Sequence, residues 1–204
     1  MGLLAKGTSP WFWVTWLLTI VLAILAFTRS PWWWLPFAPA LVLALLMLNF
    51  FRDPERSPGA GLVAPADGVV QSIDEWEDGR IRVATFMNPL NVHVNRAPLD
   101  GTVISVKHVR GGFVPAFDKE SDQNERVVWL FHTAIGELEV VQIAGAVARR
   151  IVPYLGAGAT IKKGDRIGII RLGSRVDVYL PPGMEPAVKV GQGMVAGVTT
   201  LAKT

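Results

Sequence analysis

The sequence has no cysteine among its 204 residues and only three histidines. The absence of cysteine excludes disulfide bonds, thiolate zinc sites and a cysteine nucleophile. A zinc hydrolase needs about three protein ligands, and three histidines without a His-x-His pair argue against a membrane zinc peptidase. The formal net charge is only +3, with no long Lys/Arg run, which argues against a nucleic-acid partner. We therefore expect the protein to bind neither a metal ion nor a nucleic acid.

Charge is nearly absent from residues 1–51, in contrast to the rest of the chain. Two stretches there, Trp11–Phe27 and Trp32–Phe51, contain no charged residue, and a helix crosses a bilayer with about 20 apolar residues. The segment between them, Thr28–Pro31, is too short for anything but a tight turn. Tryptophans lie near the ends of the stretches, as in the aromatic belts of membrane proteins. The pattern predicts a membrane hairpin of two hydrophobic helices over residues 1–51.

Two other interpretations of this segment stay open. A cleaved signal peptide followed by a single anchor would need a small-residue cleavage site before the turn, and the sequence has no such site there. A hairpin that enters the membrane without crossing it would suit Pro36 and Pro39, because proline can kink a helix and keep it shallow. In either form of hairpin, both ends emerge on the same side of the membrane.

The positive charges around the hairpin predict its orientation. Lys6, Arg52 and Arg56 flank its two ends, whereas Arg29 alone lies in the turn. The cytoplasmic flanks of membrane segments carry the excess of Lys and Arg. We therefore expect the protein in the cell membrane, with residues 52–204 facing the cytoplasm.

Beyond the hairpin the hydrophobic pattern changes its period. Residues 52–61 are polar and rich in Pro and Gly, which predicts a linker. Within residues 62–204, short Val/Ile-rich runs bounded by Gly, Asp or Pro predict strands, and no segment has a long helical period. The expected fold of this domain is mainly β, a compact barrel or sandwich with few helices. The predicted strands are Gly68–Ile73, Arg80–Phe86, Gly101–Lys107, Arg126–His132, Glu137–Ile143, Ala148–Val152, Arg166–Ile170 and Arg175–Leu180.

Three short motifs in the β region contain side chains suited to chemistry. Gly173 and Ser174 lie between two predicted strands, although a Gly-Ser pair by itself is more often a hairpin turn. Asp67 lies in a Pro/Gly turn, where an aspartate commonly bonds nearby backbone amides. His93 ends a polar loop and by itself fits a structural role as well as a catalytic one, although histidine is well suited to proton transfer near neutral pH.

The strings around these residues resemble the short form of the phosphatidylserine decarboxylase family. Six such strings follow the family's order and spacing, and they span nearly all of the chain after the hairpin. One string alone would be weak evidence, whereas six in register are specific. The strings are FRDPER at Phe51–Arg56, PADG at Pro65–Gly68, MNPLNVHVNRAP at Met87–Pro98, NERV at Asn124–Val127, QIAGA at Gln142–Ala146 and LGS at Leu172–Ser174.

The resemblance implies an enzyme made as a proenzyme that cleaves itself between Gly173 and Ser174. Ser174 would become a covalent pyruvoyl group, the only cofactor expected, and His93 and Asp67 would complete an Asp-His-Ser relation. Through a Schiff base, the pyruvoyl group would convert phosphatidylserine to phosphatidylethanolamine and CO2. The expected partners are the lipid substrate, the membrane, the protein's own two cleaved chains and, as in many family members, a second copy in a homodimer.

One position departs from the family pattern. Longer members carry two histidines in the loop that matches Asn91–Pro98, whereas the second position here is Arg96. In those members the second histidine is usually assigned as the base for self-cleavage. Either His93 serves both cleavage and decarboxylation, or Arg96 acts electrostatically while Asp67 takes the proton.

Two other functions share parts of this pattern. Another serine-headed lipid, such as archaetidylserine, would undergo the same chemistry, because the reactive residues meet only the serine head group. A hybrid-motif carrier domain would also contain a string like the one around Asp67, but it needs a lysine in a tight turn, and Lys162-Lys163 lacks the required flanks. A phosphocarrier would use His93, and the Gly-Ser motif would then have no role.

Overall fold

The computed structural model describes residues 4–76, 78–112, 114, 123–145, 150–171 and 174–204. The chain divides into two compact units, Met1–Asp53 and Pro54–Thr204. The division falls where charged residues return to the sequence, so the apolar segment and the β-rich segment form different units.

The first unit is a pair of apolar helices, as the charge-free stretches predict. Helix α1 spans Pro10–Thr28 and helix α2 spans Trp34–Phe50, with a short 3-10 turn at Pro31–Trp33 between them. Pro39 lies inside α2. Both helical segments, the second taken as Pro31–Phe50, are long and apolar enough to cross a membrane.

Large apolar side chains cover the outside of both helices. Leu17 and Phe27 of α1 expose 64% and 78% of their surface, and Leu35 of α2 exposes 68%. Such exposure is unfavourable in water, at about 25 cal/mol for each Å² of apolar area, whereas lipid tails accept it. The helical unit therefore has a surface suited to association with a membrane.

The second unit is built from antiparallel strands, which confirms the expectation of a mainly β domain. Seven of the eight predicted runs correspond to strands with similar ends, whereas the run Ala148–Val152 overlaps a strand that begins only at Ile151. Ala148 and Arg149 lie outside the described residues. The five strands at Leu62–Val63, Val94–Arg96, Thr160–Ile161, Gly193–Met194 and Thr200–Ala202 were not predicted, because two or three residues are too few to establish a hydrophobic period. In chain order the strands are β1 Leu62–Val63, β2 Gly68–Glu75, β3 Ile81–Met87, β4 Val94–Arg96, β5 Gly101–Val109, β6 Arg126–Thr133, β7 Gly136–Ala144, β8 Ile151–Pro153, β9 Thr160–Ile161, β10 Arg166–Ile170, β11 Ser174–Leu180, β12 Gly193–Met194 and β13 Thr200–Ala202.

The strands form one large sheet and two smaller groups. The large sheet has eight strands in the order β12-β2-β3-β11-β7-β6-β5-β9. A three-stranded sheet has the order β4-β10-β8, and β1 pairs with β13. Strand β11 lies inside the large sheet, whereas the preceding strand, β10, belongs to the three-stranded sheet. The chain therefore passes from one sheet to the other between Ile170 and Ser174.

The hydrophobic core contains residues from both of these sheets. Trp129 of β6 stacks on Phe131 at 5.9 Å between ring centroids, and both are fully buried together with Val178 of β11. Ile167 and Ile170 of the three-stranded sheet belong to the same core. Burying each large apolar side chain contributes about 1.5–3 kcal/mol. The shared core indicates that the two sheets pack face to face, as in a sandwich.

The polar segment that precedes β1 lies against the C-terminal part of the chain. The amide of Gly59 donates to the carbonyl of Gly197 at 2.9 Å, and Thr200 Oγ1 donates to the carbonyl of Ala60 at 2.9 Å. A Cβ on Gly59 would come close to the carbonyl oxygen of Val198, so only glycine permits this approach. Within the second unit, the part of the predicted linker from residue 54 onward is thus bound to the β domain.

Candidate active site

Ser174 begins strand β11 and is fully buried. Its backbone is paired with Met87 of β3 on one side and with Ala144 of β7 on the other. Its Oγ donates a hydrogen bond to the Sδ atom of Met87 at 3.3 Å. Pairing on both sides fixes the position of Ser174, while the predicted cleavage partner Gly173 lies outside the described residues.

A chain of buried polar side chains leads away from the Met87 sulfur. Asn95 donates from Nδ2 to this sulfur at 3.7 Å, and its Oδ1 accepts from Gln142 Nε2 at 2.6 Å. Gln142 Oε1 in turn accepts from the indole Nε1 of Trp129 at 2.7 Å. All four residues have 0% exposure. Since buried polar groups are stable only when they are hydrogen-bonded, this chain holds the sulfur that contacts Ser174.

His93 is fully buried immediately before β4. Its Nδ1 lies 2.9 Å from the carbonyl oxygen of Asn91. A carbonyl oxygen can only accept, so Nδ1 carries the proton, and Nε2 of the neutral ring is then a proton acceptor. The carbonyl of His93 accepts from the amide of Ile170 at 3.3 Å, which holds His93 beside the end of β10. With this bond, Nε2 is the nitrogen through which a neutral His93 ring could accept a proton.

Asp67 is held by four hydrogen bonds, and its side chain is only 11% exposed. Both of its oxygens accept from the guanidinium of Arg56, with Nη2 to Oδ2 at 2.9 Å. Its Oδ1 also accepts from the amide of Ala196 at 2.8 Å, and its Oδ2 from the amide of Val92 at 3.3 Å. Among the described residues, these bonds connect Asp67 to the backbone next to His93 rather than to the imidazole itself.

The turn that presents Asp67 depends on the glycine after it. Gly68 has φ +153°, and a Cβ at this position would lie 2.1 Å from the carbonyl oxygen of Phe86. Glycine alone permits β2 to begin this close to β3. The Asp-Gly pair therefore places the carboxylate immediately before the first residue of β2.

Arg96, which occupies the position of the second family histidine, is buried with 2% exposure. Its guanidinium donates to the carbonyl oxygens of Pro54 at 2.7 Å and of Gly164 at 3.0 Å. Its backbone amide donates to the carbonyl of Pro65 at 2.8 Å. These bonds hold the charge of Arg96 against the backbone and connect three segments of the domain.

The remaining histidines lie in more exposed positions. His108 Nε2 is 2.9 Å from Glu125 Oε1, and this pair lies on β5 and just before β6. His132 is exposed near the end of β6. Within the part of the chain that the structure describes, no group of three or more His, Asp or Glu residues is placed to hold a metal ion.

The contacts of the described residues link Asp67 and Ser174 to the segment around His93 through intermediates whose roles the sequence did not reveal. Asp67 is joined to His93 through the Val92 amide. Ser174 donates to the sulfur of Met87, and the same sulfur accepts from Asn95. Asn95 lies on β4, the strand that follows His93. These intermediates, Met87, Val92 and Asn95, all lie inside the string Met87–Pro98, which is part of the family resemblance. The resemblance therefore included these residues but did not reveal what they contact. The sequence analysis missed Arg56, Met87, Asn95, Gln142 and Trp129 as supporting residues.

Comparison with known proteins gives consistent similarities. Residues 43–202 match the family model described as phosphatidylserine decarboxylase. The chain is 60% identical over 199 residues to the phosphatidylserine decarboxylase proenzyme of Streptomyces avermitilis, covering 97% of this chain and 92% of that protein. It is 55% identical to the protein of the same name from Thermobifida fusca, covering 97% and 91%. It is 48% identical to a protein of Halobacterium salinarum provisionally named archaetidylserine decarboxylase proenzyme, covering 98% and 100%.

The buried polar chain generates a prediction about Gln142. In Gln142→Leu, the Trp129 indole and the Asn95 carbonyl oxygen lose their partner, and we expect the free energy of unfolding to fall by about 2–5 kcal/mol. Urea denaturation measures this loss. The control is Gln192→Leu, because Gln192 is exposed and its side chain accepts from the Lys189 amide at 3.1 Å; its effect should stay within about 0.5 kcal/mol. Equal effects of the two substitutions would contradict the role of the buried chain.

Proposed function

The chain belongs to the phosphatidylserine decarboxylase family, and on this premise we propose that it converts phosphatidylserine to phosphatidylethanolamine and CO2 with a pyruvoyl group made from Ser174. The observation that carries the proposal is the position of Ser174. It is fully buried and paired on both sides at the start of β11, where the chain changes sheets. A proenzyme needs its reactive bond in such a fixed and protected place.

The self-cleavage that we propose uses the side chain of Ser174 as the nucleophile. Its Oγ attacks the carbonyl carbon of Gly173, the C–N bond breaks as the nitrogen takes up a proton, and an ester replaces the amide. Loss of the Cα proton then breaks the Cβ–O bond, which releases the Gly173 carboxylate and leaves a Cα–Cβ double bond. Tautomerisation, addition of water and loss of ammonia leave the keto group. A hydroxyl is a weak nucleophile, so this sequence requires a base at the site.

We assign that base to His93. Its Nδ1 bonds the Asn91 carbonyl at 2.9 Å, which leaves Nε2 as the nitrogen that accepts a proton. The other alternative, in which Asp67 takes the proton with electrostatic help from Arg96, fits the contacts less well. The carboxylate of Asp67 is engaged by a bidentate arginine and two amides, and the guanidinium of Arg96 bonds two backbone carbonyls.

Asp67 acts in this proposal as a positioning residue. It accepts the Val92 amide at 3.3 Å, so it fixes the turn that carries His93. Its own place is fixed by Arg56, whose Nη1 also donates to the carbonyl of Ala196 at 3.0 Å. A bidentate arginine–carboxylate pair is geometrically specific, so the pair sets the position of the loop.

The residues around position 174 suit a pyruvoyl group. The surroundings are buried in the uncleaved chain, since Ser174, His93 and Met87 have 0% exposure. A pyruvoyl group supplies the electron sink that a departing carboxylate needs when an amino-acid head group loses CO2. The protein contributes the buried surroundings, and His93 lies at the same end of the domain to return a proton to the head-group carbon.

Cleavage at Ser174 would leave the two chains assembled. The downstream chain has 204 − 173 = 31 residues and contains β11, β12 and β13. These strands pair with β3, β7, β2 and β1 of the upstream chain. Val176, Val178, Leu180 and Leu201 of the downstream chain are fully buried. The small chain is therefore held by strand pairing and by the common core.

The apolar helices place a lipid-active domain at a membrane in this proposal. Anchoring limits the search for a lipid substrate to two dimensions, and the positive flanks of the hairpin favour the cytoplasmic face of the cell membrane. The homodimer that the family resemblance implies stays a prediction.

A second candidate substrate is archaetidylserine. The similarity to the Halobacterium salinarum protein at 48% identity supports it. The head group and the chemistry would be the same, and only the lipid tails would differ. The higher identity to the Streptomyces avermitilis protein, 60%, favours phosphatidylserine.

The position of Ser174 predicts two products of self-cleavage. Denaturing mass spectrometry of the purified protein should give chains of 173 and 31 residues, and the shorter chain should lack a free amino terminus and react with carbonyl reagents. Ser174→Ala should stay intact and inactive, and Ser174→Cys should cleave slowly, because a thiol makes the same acyl shift. The control Ser105→Ala, on β5, should cleave and decarboxylate normally. Decarboxylation by an uncleaved preparation would falsify the proposal.

The pairing of Asp67 with Arg56 predicts a shared effect on processing. Asp67→Asn and Arg56→Gln should each slow the loss of precursor by about 10- to 100-fold, because either change releases the loop that positions His93. The double variant should be no slower than the singles, since both act through one pair. The control is Glu55→Gln, because Glu55 is exposed and forms a surface pair with Arg166 at 3.1 Å. If Asp67 carried the proton itself, Arg56→Gln would process almost normally and only Asp67→Asn would fail.

The charge bias around the hairpin predicts which side of the membrane carries the β domain. In sealed inside-out vesicles of expressing cells, added protease should digest residues 54–204, and in right-side-out vesicles it should not. The protein should also stay with the membrane after an alkaline carbonate wash, because the apolar helices hold it there. Digestion in right-side-out vesicles only would reverse the orientation.

A further inference from the structure

Two arginines are cross-strand neighbours at one end of the three-stranded sheet. Strands β8 and β10 are antiparallel, and Ile151 pairs with Ile170 at the end of the ladder. The next residues are Arg150 and Arg171, and the amide of Arg171 donates to the carbonyl of Arg150 at 3.2 Å. Both guanidinium groups therefore project from neighbouring backbone positions.

This arginine pair adjoins the candidate active site. Ile170, next to Arg171, donates its amide to the carbonyl of His93 at 3.3 Å. Arg171 also lies only three residues before Ser174 in the sequence. The pair thus lies at the end of the domain where the reactive residue and its proposed base are found.

The arrangement concentrates positive charge. Burial lowers the pKa of the Arg171 guanidinium, and the positive charge of Arg150 lowers it further. Like charges that face each other across a strand pair destabilise the sheet by about 0.2–1 kcal/mol. An anion between them would convert this repulsion into attraction, because guanidinium groups bind the oxygens of phosphate in a bidentate manner.

We propose that Arg150 and Arg171 bind the phosphodiester of the lipid head group. This inference rests on the proposed function, since it takes the serine-headed phospholipid as the substrate. In such a lipid, only a methylene carbon and an ester oxygen separate the reacting Cα from the phosphorus atom. A phosphate site must therefore adjoin residue 174, which is where the arginine pair lies.

The chemistry favours the phosphate over the carboxylate of the same head group. The carboxylate loses its charge when CO2 departs, so two cations bound to it would stabilise the ground state more than the transition state and slow the reaction. The phosphodiester keeps its charge throughout. Its binding is uniform between the ground state and the transition state, and it lowers KM without changing kcat.

The test compares charge-removing variants in neutral detergent micelles that contain a small fraction of phosphatidylserine. In Arg171→Gln and Arg150→Gln, we expect the KM for phosphatidylserine in the micelle surface to rise by about 10-fold and kcat to change by less than about 2-fold. Arg171→Lys should recover part of the affinity. The control is Arg80→Gln, because Arg80 lies at the far end of β3 and pairs with Glu139 at 2.9 Å; its KM should be that of the wild type.

Competition with two small anions distinguishes phosphate binding from carboxylate binding at the arginine pair. sn-Glycerol 3-phosphate, which has the phosphate and no carboxylate, should inhibit the wild type, and its inhibition constant should rise by about 10-fold in Arg171→Gln. Inhibition by L-serine, which has the carboxylate and no phosphate, should be unchanged. The opposite pattern would assign the pair to the carboxylate and overturn the proposal.

Two further readouts keep the inference distinct from the proposed function. Mass spectrometry of each variant reports whether cleavage at Ser174 is intact, and NMR titration of the wild type with sn-glycerol 3-phosphate reports binding without turnover.

A wild type that is cleaved and active, with unchanged KM and unchanged phosphate binding in both variants, would overturn the inference alone. Failure of the wild type to decarboxylate would overturn the proposed function, while the titration would still decide the phosphate site. A KM effect seen only in micelles enriched in other anionic lipids would assign the arginines to the membrane surface and overturn the proposal.

Discussion

The pairing of β11 with a strand on each side is the constraint on which the site depends. It fixes Ser174 at the first position of a central strand, while Ile170 closes the strand before it in another sheet. The short connection between them must cross from one sheet to the other, with both of its ends held. A bond in that connection can therefore be broken without releasing either strand, since each keeps its own neighbours and its own share of the core.

Two sets of buried polar contacts in the domain hold the segments that contain Ser174 and His93. On one side, the buried amides of Asn95 and Gln142 hold the sulfur of Met87 against Ser174. On the other, the ion pair of Asp67 and Arg56 holds the backbone before His93. Buried polar groups are costly unless every one is satisfied, so these contacts select one arrangement of the loop and the strand. Stability and the geometry for chemistry are thus supplied by the same hydrogen bonds.

The distribution of apolar and charged surface follows the demands of a lipid substrate. The helical unit exposes apolar side chains that lipid would cover favourably, as Phe27 at 78% exposure illustrates. In the β unit, the arginines at the edge of the three-stranded sheet concentrate positive charge next to the reactive end. An anionic head group would be drawn to that end by charge, while the reacting carbon would enter the buried surroundings of residue 174. Affinity and chemistry would then come from different residues.

The sequence by itself determined the apolar helices and the longer strands, because hydrophobic period is a property of neighbouring residues. Its motifs, through the family resemblance, also predicted Asp67, His93 and Ser174 as site residues. It could not determine the short strands such as β4, whose pairing depends on distant partners. Nor could it determine that Asp67 reaches the backbone of Val92 and the guanidinium of Arg56, or that Gln142 contacts Asn95. Those contacts join residues far apart in the chain, and only the packing of one sheet on the other decides which of them meet.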